Sequence, residues 1–262
     1  MSRRKRARQI VAARLERLED LSIGKLVPST ITLLALCSGV TAIRFGLADD
    51  WTTAVAFVIA AMILDMLDGR AARMLGADSR FGAQLDSLAD LVSFGVAPSV
   101  IMYMWSLKDM GNAGWIAALI FCACAAIRLA RFNVESVRDE GATKGNPYFT
   151  GLPTPAAACM MLLPLLISFQ WNDPLVRQPW ISGVVIAITS VLMVSRLPTP
   201  SIKYMKLQRQ HRAMAAVFFL ALAALLIAWP WGTMTVGLLI YVASIPFAIV
   251  AHHPRYATRE IS

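Results

Sequence analysis

Hydrophobic positions along the 262-residue chain gather into eight long apolar stretches, near residues 26–47, 51–68, 87–106, 114–131, 152–171, 180–196, 213–229 and 232–250. Each is close to the ~20 residues a helix needs to cross a bilayer. Polar and charged residues are confined to the short intervals between them and to the two ends. This pattern predicts an all-α, polytopic membrane bundle of about eight transmembrane helices. The first six are read as the core of the bundle, and an amphipathic surface helix is expected over residues 1–25.

Charge placement orients the bundle. With the N-terminus inside and the spans alternating, only Arg44, Lys108 and Arg177 of the 25 basic residues fall outside. That is the bias expected of cytoplasmic loops. All seven tryptophans, Trp51, Trp105, Trp115, Trp171, Trp180, Trp229 and Trp231, fall at the opposite interface, as an indole belt requires. The formal charge of +9 therefore reads as a topology signal, with no nucleic-acid partner. Both termini are expected in the cytoplasm, and the membrane is read as a bacterial inner membrane. The basic segment before the first span also carries Glu16, Glu19 and Asp20 and lacks a cleavage pattern, so it reads as a surface helix, or as a disordered basic tail that only sets orientation, and not as a removed signal. Cys37, Cys122, Cys124 and Cys159 sit in apolar stretches without metal-ligand spacing and read as packing residues.

Against this oily background the ends of the second and third stretches carry four aspartates, Asp65, Asp68, Asp86 and Asp90. Carboxylates near a hydrocarbon core are costly and mark function by default. At helical spacing Asp65, Asp68, Gly69, Ala72 and Arg73 fall within an arc of about 140°. Gly82, Asp86 and Asp90 follow one another at i+4 steps, with Ser93 next on the same side. Two helices thus offer four carboxylates to one cavity. Oxygen donors without histidine or cysteine suit a hard divalent ion, Mg²⁺ or Mn²⁺. The small residues Gly69, Ala72 and Gly82 leave room for a bulky phosphorylated ligand, and Arg73 suits a phosphate oxygen. Local pairing of Asp65 with Arg70 or Arg73, and of Asp86 with Arg80, is the competing structural account. A divalent-cation transporter is the competing functional one, but it would place its carboxylates nearer the bilayer midplane, with an internal repeat.

The string Asp65-x2-Asp68-Gly69-x2-Ala72-Arg73-x8-Gly82-x3-Asp86-x3-Asp90 resembles the signature of the CDP-alcohol phosphotransferases at every fixed position. The resemblance implies cleavage of a CDP-alcohol at its pyrophosphate, transfer of the phosphoryl-alcohol to a hydroxyl, and release of CMP. It implies two metal ions held by Asp65, Asp68 and Asp86, with Asp90 as both ligand and general base. Gly69, Ala72 and Gly82 would abut the nucleotide, and Arg73 and Ser79 would contact phosphate. Ser29 and Thr32, in Pro28-Ser29-Thr30-Ile31-Thr32, stand where relatives carry Pro-Asn followed by Thr, and complete the CDP-diacylglycerol contacts. Ser29 departs from that Asn and offers fewer hydrogen-bonding groups.

Three further segments are similar to the phosphatidylserine synthase branch of that family: Asp86 to Pro98, Ile127-Arg-Leu-Ala-Arg-Phe-Asn133, and Phe149-Thr-Gly-Leu-Pro-Thr-Pro155. This likeness implies CDP-diacylglycerol and L-serine as substrates, membrane lipids as surroundings, and homodimers as in many relatives. Arg131 is the first choice for the serine carboxylate, with Asn133 and Arg128 beside it. Choline, glycerol phosphate or inositol phosphate as acceptor remain alternatives within the same chemistry. The chain divides into a juxtamembrane helix (1–25), a catalytic membrane domain (26–200), and a basic loop, final two-helix hairpin and tail (201–262).

Overall fold

The computed structural model describes residues 23–77, 79–139, 149–171, 174–195, 198–199 and 212–256. The amphipathic helix expected over 1–25 lies almost wholly outside them, as does most of the basic loop that opens the last segment. Helices occupy the places of all the apolar stretches. They are α1 (Ile23–Leu47), α2 (Trp51–Leu75), α3 (Arg80–Asp90), a π-helical turn (Leu91–Val96) continuing into α4 (Ala97–Trp105), and α5 (Asn112–Asp139). Then come α6 (Thr154–Met161), α7 (Leu163–Ser168), α8 (Pro179–Val194), α9 (Arg212–Ala228) and α10 (Pro230–Tyr256). Among the described residues the one departure from helix as regular long-range structure is a short antiparallel pair. In it β1 (Phe149–Thr150) lies against β2 (Pro198–Thr199), with Phe149 opposite Thr199.

Four helical stretches are long and apolar enough to cross a membrane: Leu26–Leu47, Trp51–Leu75, Arg80–Trp105 and Asn112–Glu135. Their outer faces carry exposed Leu33, Val40, Ile63, Leu119 and Ile127, while small or polar residues such as Ala42, Ala54, Ser38 and Ser99 are buried between helices. Large side chains out and small ones in is how helices pack when the solvent is lipid. The protein is an integral membrane protein.

The fifth apolar stretch is not one helix. It breaks at Leu162 into α6 and α7, each with a proline in its first turn (Pro155 and Pro164), where a missing N–H costs nothing. Thr154, Leu152, Met161 and Leu165 bury this segment at the centre of the bundle, against Phe121, Ile186 and Met193. It is a core insert wrapped by longer helices.

Local rules explain the junctions at both ends of the acidic helices. Asp50 caps α2 by accepting from the Thr53 amide at 3.1 Å, and Gly76, at φ 57°, ends it in the left-handed conformation that favours glycine. Ser79 caps α3, its Oγ accepting from the Gly82 amide at 3.0 Å. Pro98, which has no amide proton, follows the π turn. There the Gly95 carbonyl is served by Ser99 Oγ at 2.7 Å and by Cys122 Sγ at 3.4 Å. The π turn also presses on α1, where a Cβ added to Gly39 would stand 2.7 Å from Ser93 Cα.

Candidate active site

α1 is the wall on which the site is built. It packs along α2 and also against α3 and the π turn, whereas α2 and α3 make little direct backbone contact. The two aspartate-bearing helices therefore face one another across a gap that their side chains fill. From α2, Asp65 is half-buried and Asp68 is 5% exposed; from α3, Asp86 and Asp90 are both half-buried. One carboxylate oxygen from each of Asp65, Asp68 and Asp86 lies within 4.8 Å of the others. Asp90 stands beside Asp65, side chain to side chain within hydrogen-bonding range.

The partners of these carboxylates are informative. Thr32 on α1 donates to Asp68 Oδ2 at 2.7 Å, so a residue expected among the CDP-diacylglycerol contacts also reaches the acidic cluster directly. Among the described residues no Lys or Arg forms an ion pair with any of the four aspartates, so the local pairings with Arg70, Arg73 and Arg80 do not form. Converging carboxylates without a counter-charge in a region of low dielectric repel one another strongly. The residues present thus fit a hard divalent cation, which supplies the missing charge and takes oxygen donors.

Beside the carboxylates α2 is open. A Cβ added to Gly69 would meet nothing nearer than Arg73 Nη1 at 3.9 Å, so helix packing does not require glycine there. Ala72 is half-buried and the Arg73 side chain is exposed on the same face. Gly82 is tighter, its notional Cβ lying 3.1 Å from Ser79 Oγ. Ser79 is engaged as the α3 cap, though its own hydroxyl proton remains able to donate. Ser29 lies one turn before Thr32 on α1, half-buried. Ser93, expected on the acidic side, is buried and donates to the Ala35 carbonyl at 3.2 Å, because the π turn directs it at α1.

The candidates on α5 part company. Arg128 is partly buried and directed inward. Its Nη1 donates to Thr154 Oγ1 at the start of α6, and it lies within electrostatic range of Asp90. Arg131, one turn on, is exposed and gives its Nη1 to the Val194 carbonyl at 2.9 Å. Asn133 Oδ1 accepts from Ser87 Oγ at 2.9 Å, joining α5 to α3 next to Asp86. Sequence reasoning singled out neither Ser87 nor Thr154 in a role of its own, and no local pattern would have done so. Their significance comes from partners 46 and 26 residues away.

The chain is similar to known proteins over most of its length. The sequence profile of the CDP-alcohol phosphatidyltransferase family matches residues 25–195, which include all four aspartates, Arg128, Arg131 and Asn133. A CDP-diacylglycerol–serine O-phosphatidyltransferase of Mycobacterium leprae is 37% identical over 234 residues, covering 88% of this chain and 76% of that protein. The protein of the same name from Bacillus subtilis is 36% identical over 178 residues, covering 68% of this chain and 91% of its own length. A solved phosphatidylinositol phosphate synthase of Mycobacterium tuberculosis, in complex with manganese and citrate, aligns with a TM-score of 0.45 at 22% identity. That alignment covers 71% of this chain and 83% of the other. On the family profile and the identity to full-length relatives, the chain belongs to the CDP-alcohol phosphatidyltransferase family.

Proposed function

We propose that the protein transfers the phosphatidyl group of CDP-diacylglycerol to the hydroxyl of L-serine, giving phosphatidylserine and CMP. The observation that carries the chemistry is the cluster of Asp65, Asp68 and Asp86, with carboxylate oxygens within 4.8 Å of one another and no basic partner among the described residues. The choice of serine rests on the names of relatives matched over most of the chain.

In this reading Asp65, Asp68 and Asp86 would hold two divalent ions, Mg²⁺ or Mn²⁺, with Asp90 as a further ligand. Bound there, the ions would supply positive charge to the pyrophosphate and the departing CMP. The chain's own residues do the rest. Asp90 takes the proton from the serine hydroxyl as it attacks the phosphorus of the phosphatidyl group. Thr32 fixes Asp68 in place. The bare face at Gly69 and Ala72 admits the nucleotide, flanked by Ser29 and Gly82, while Arg73 and Ser79 donate to phosphate oxygens. Arg131, Asn133 and Arg128 form the acceptor side.

The working arrangement is eight spans with both termini and the acidic end at the cytoplasmic face of a bacterial inner membrane. The catalytic unit spans 26–200 and the protein pairs as a homodimer. CDP-diacylglycerol would then reach the site from the bilayer, and serine from the cytosol.

The test is CMP release by purified protein. It is expected only when CDP-diacylglycerol, Mg²⁺ or Mn²⁺, and L-serine are all present. Faster release with choline, glycerol phosphate or inositol phosphate than with serine would overturn the acceptor and leave the chemistry. Release without added metal, after chelation, would overturn the metal role.

A further inference from the structure

The guanidinium of Arg128 is only half used. Nη1 donates to Thr154 Oγ1, whereas Nε is buried with no acceptor among the described residues. Nη1 lies on the far side of the planar group from the Nε–H, so the bond to Thr154 fixes the plane without using Nε. An unmet buried donor is costly, and the Nε edge of a guanidinium presents two parallel N–H groups, the fork that carboxylates accept. Arg131, by contrast, is exposed and donates to the carbonyl of Val194, the last residue of α8, which no amide of that helix can serve.

Packing sets this edge beside the acids. α5 runs antiparallel to α3 and α4, with Cys122 Sγ 3.4 Å from the Gly95 carbonyl oxygen and Asn133 Oδ1 accepting from Ser87. Arg128, between those two ties, comes level with Asp90. Thr154 reaches the same level from α6. Ala61 of α2, Phe94 of the π turn and Ala158 of α6 are packed together in one buried layer. About one helical turn from that layer stand Asp65, Asp90 and Thr154, each four residues from its member of the layer. The segment that leads into α6 is pinned from behind by the end of α8. The Leu152 amide donates to the Leu192 carbonyl at 3.4 Å, and a Cβ added to Gly151, at φ 85°, would stand 2.8 Å from the Ser195 carbonyl oxygen. Thr154 itself is fully buried, so its hydroxyl is a fixed post for the guanidinium.

We propose that Thr154 is a positioning residue that holds Arg128 with its buried Nε edge turned to the carboxylate of the acceptor. The inference deepens the reading of serine as acceptor and rests on it. In serine only two carbons separate the hydroxyl from the carboxylate, so a serine whose hydroxyl meets Asp90 must be held by a group at the level of Asp90. Arg128 is such a group. Acceptors that lack a carboxylate, choline among them, leave the buried Nε unmet, so the pair that favours serine also disfavours them.

The experiment uses the full-length protein in mixed micelles with CDP-diacylglycerol and Mn²⁺. Variants are compared with L-serine and with L-serine methyl ester, which keeps the hydroxyl and amine but not the carboxylate charge. Thr154→Val keeps the branched shape and removes the oxygen that accepts from Nη1. It is expected to raise the KM for serine about tenfold, the size of a hydrogen bond to a charged group, and to lower the preference for serine over the ester by the same factor. Its kcat, its KM for CDP-diacylglycerol and its turnover of the ester should stay within about twofold of wild type, and the ester turnover shows that the variant is folded. Thr154→Ser, which restores the hydroxyl, should keep the serine KM within about twofold of wild type. Cys159→Ala, a packing change on the same helix, should leave it unchanged. Arg128→Lys keeps the charge without the fork, so it should lose the preference by itself, and Thr154→Val added to it should change little more. An unaltered serine KM in Thr154→Val, a parallel loss with serine and ester, or a wild-type preference in Arg128→Lys would overturn the proposal and leave the acceptor assignment standing. Wild-type protein that releases no CMP with serine would instead overturn the assignment itself.

Discussion

Two polar clusters lie along the same continuous helical stretch and are built on opposite logic. Near the end of α4, Ser106 Oγ donates to the Arg177 carbonyl at 3.0 Å, Ser182 Oγ donates to Ser106 Oγ at 3.2 Å, and Arg177 Nε donates to the Trp105 carbonyl at 3.4 Å. Every member is spoken for, and Ser106 and Ser182 are fully buried. Sixteen residues earlier, roughly 24 Å along a helix at 1.5 Å per residue, Asp90 and its three companions converge, with Thr32 donating to Asp68 and no Lys or Arg in an ion pair with any of the four among the described residues. Buried polar groups that satisfy one another fix helix positions. Buried acids that repel one another are held in place by the fold for something that arrives from outside.

The sharpest way to break this contrast is to neutralise the acidic cluster. Asp90→Asn is expected to lower CMP release by about 10²- to 10⁴-fold, the usual worth of a general base. Asp86→Asn, a ligand change, should weaken activation by Mn²⁺ as well as lower the rate. The readout beyond activity is thermal unfolding with and without Mn²⁺. Wild type should be stabilised by about 2.7 kcal/mol when the free ion stands at a hundred times its Kd, and Asp86→Asn by much less at the same concentration. Equal stabilisation of the two proteins would show that the ion binds elsewhere.

Gly39→Val tests the wall that sets the gap between the acidic helices. The added Cβ would come 2.7 Å from Ser93 Cα and 2.5 Å from its Oγ, a clash that moves backbone and not merely a flexible tip. α1 and the π turn must separate, carrying Asp90 away from Asp65. Loss of most activity is expected, with folding judged by elution as a monodisperse species. Activity within threefold of wild type would mean the aspartate geometry tolerates a shift of α1.

Thr32→Val removes a donor while keeping the branched shape. Asp68 then loses a hydrogen bond to a charged acceptor, worth about 1.5–3 kcal/mol, so a fall in activity of roughly 10- to 150-fold is expected, partly recovered at high Mn²⁺. Thr32→Ser, which keeps the hydroxyl, should retain most activity. If valine and serine behave alike, the Thr32 hydroxyl does not support the acidic site.

The acidic cluster was legible in the sequence because it is local. Asp65 with Asp68, and Gly82 with Asp86 and Asp90, repeat at helical spacings, and a short turn marked by Gly76 joins their helices. The helical, membrane-spanning character of the chain was legible for the same reason, since hydropathy needs no partner, whereas the break of the fifth stretch at Leu162 was not. The π turn was not legible. It alters the register by one residue between Asp90 and Pro98, and thereby turns Ser93 from the acidic side to α1. Nor was the division of labour between Arg128 and Arg131. Two arginines three residues apart look alike in sequence, and only Thr154 and Val194, from later segments, separate them. Ser79 shows the converse: its capping role follows from a serine directly before a helix, yet the family resemblance directed attention to phosphate.

The smallest expected effect comes from the satisfied cluster, and it completes the comparison. Ser106→Ala withdraws a hydroxyl that donates to the Arg177 carbonyl and accepts from Ser182, leaving the latter without its partner in a site sealed from solvent. A stability loss of about 1–3 kcal/mol is expected, seen as a lower unfolding midpoint in detergent. The double variant Ser106→Ala/Ser182→Ala removes the stranded donor as well and should recover part of that loss, since two apolar groups cost less than one unmet polar one. Neither variant should change the KM for CDP-diacylglycerol or the Mn²⁺ requirement. A change in metal dependence from so far along the helix would mean the two ends are mechanically coupled through α4 and the π turn, and that the closed cluster does more than hold the bundle together.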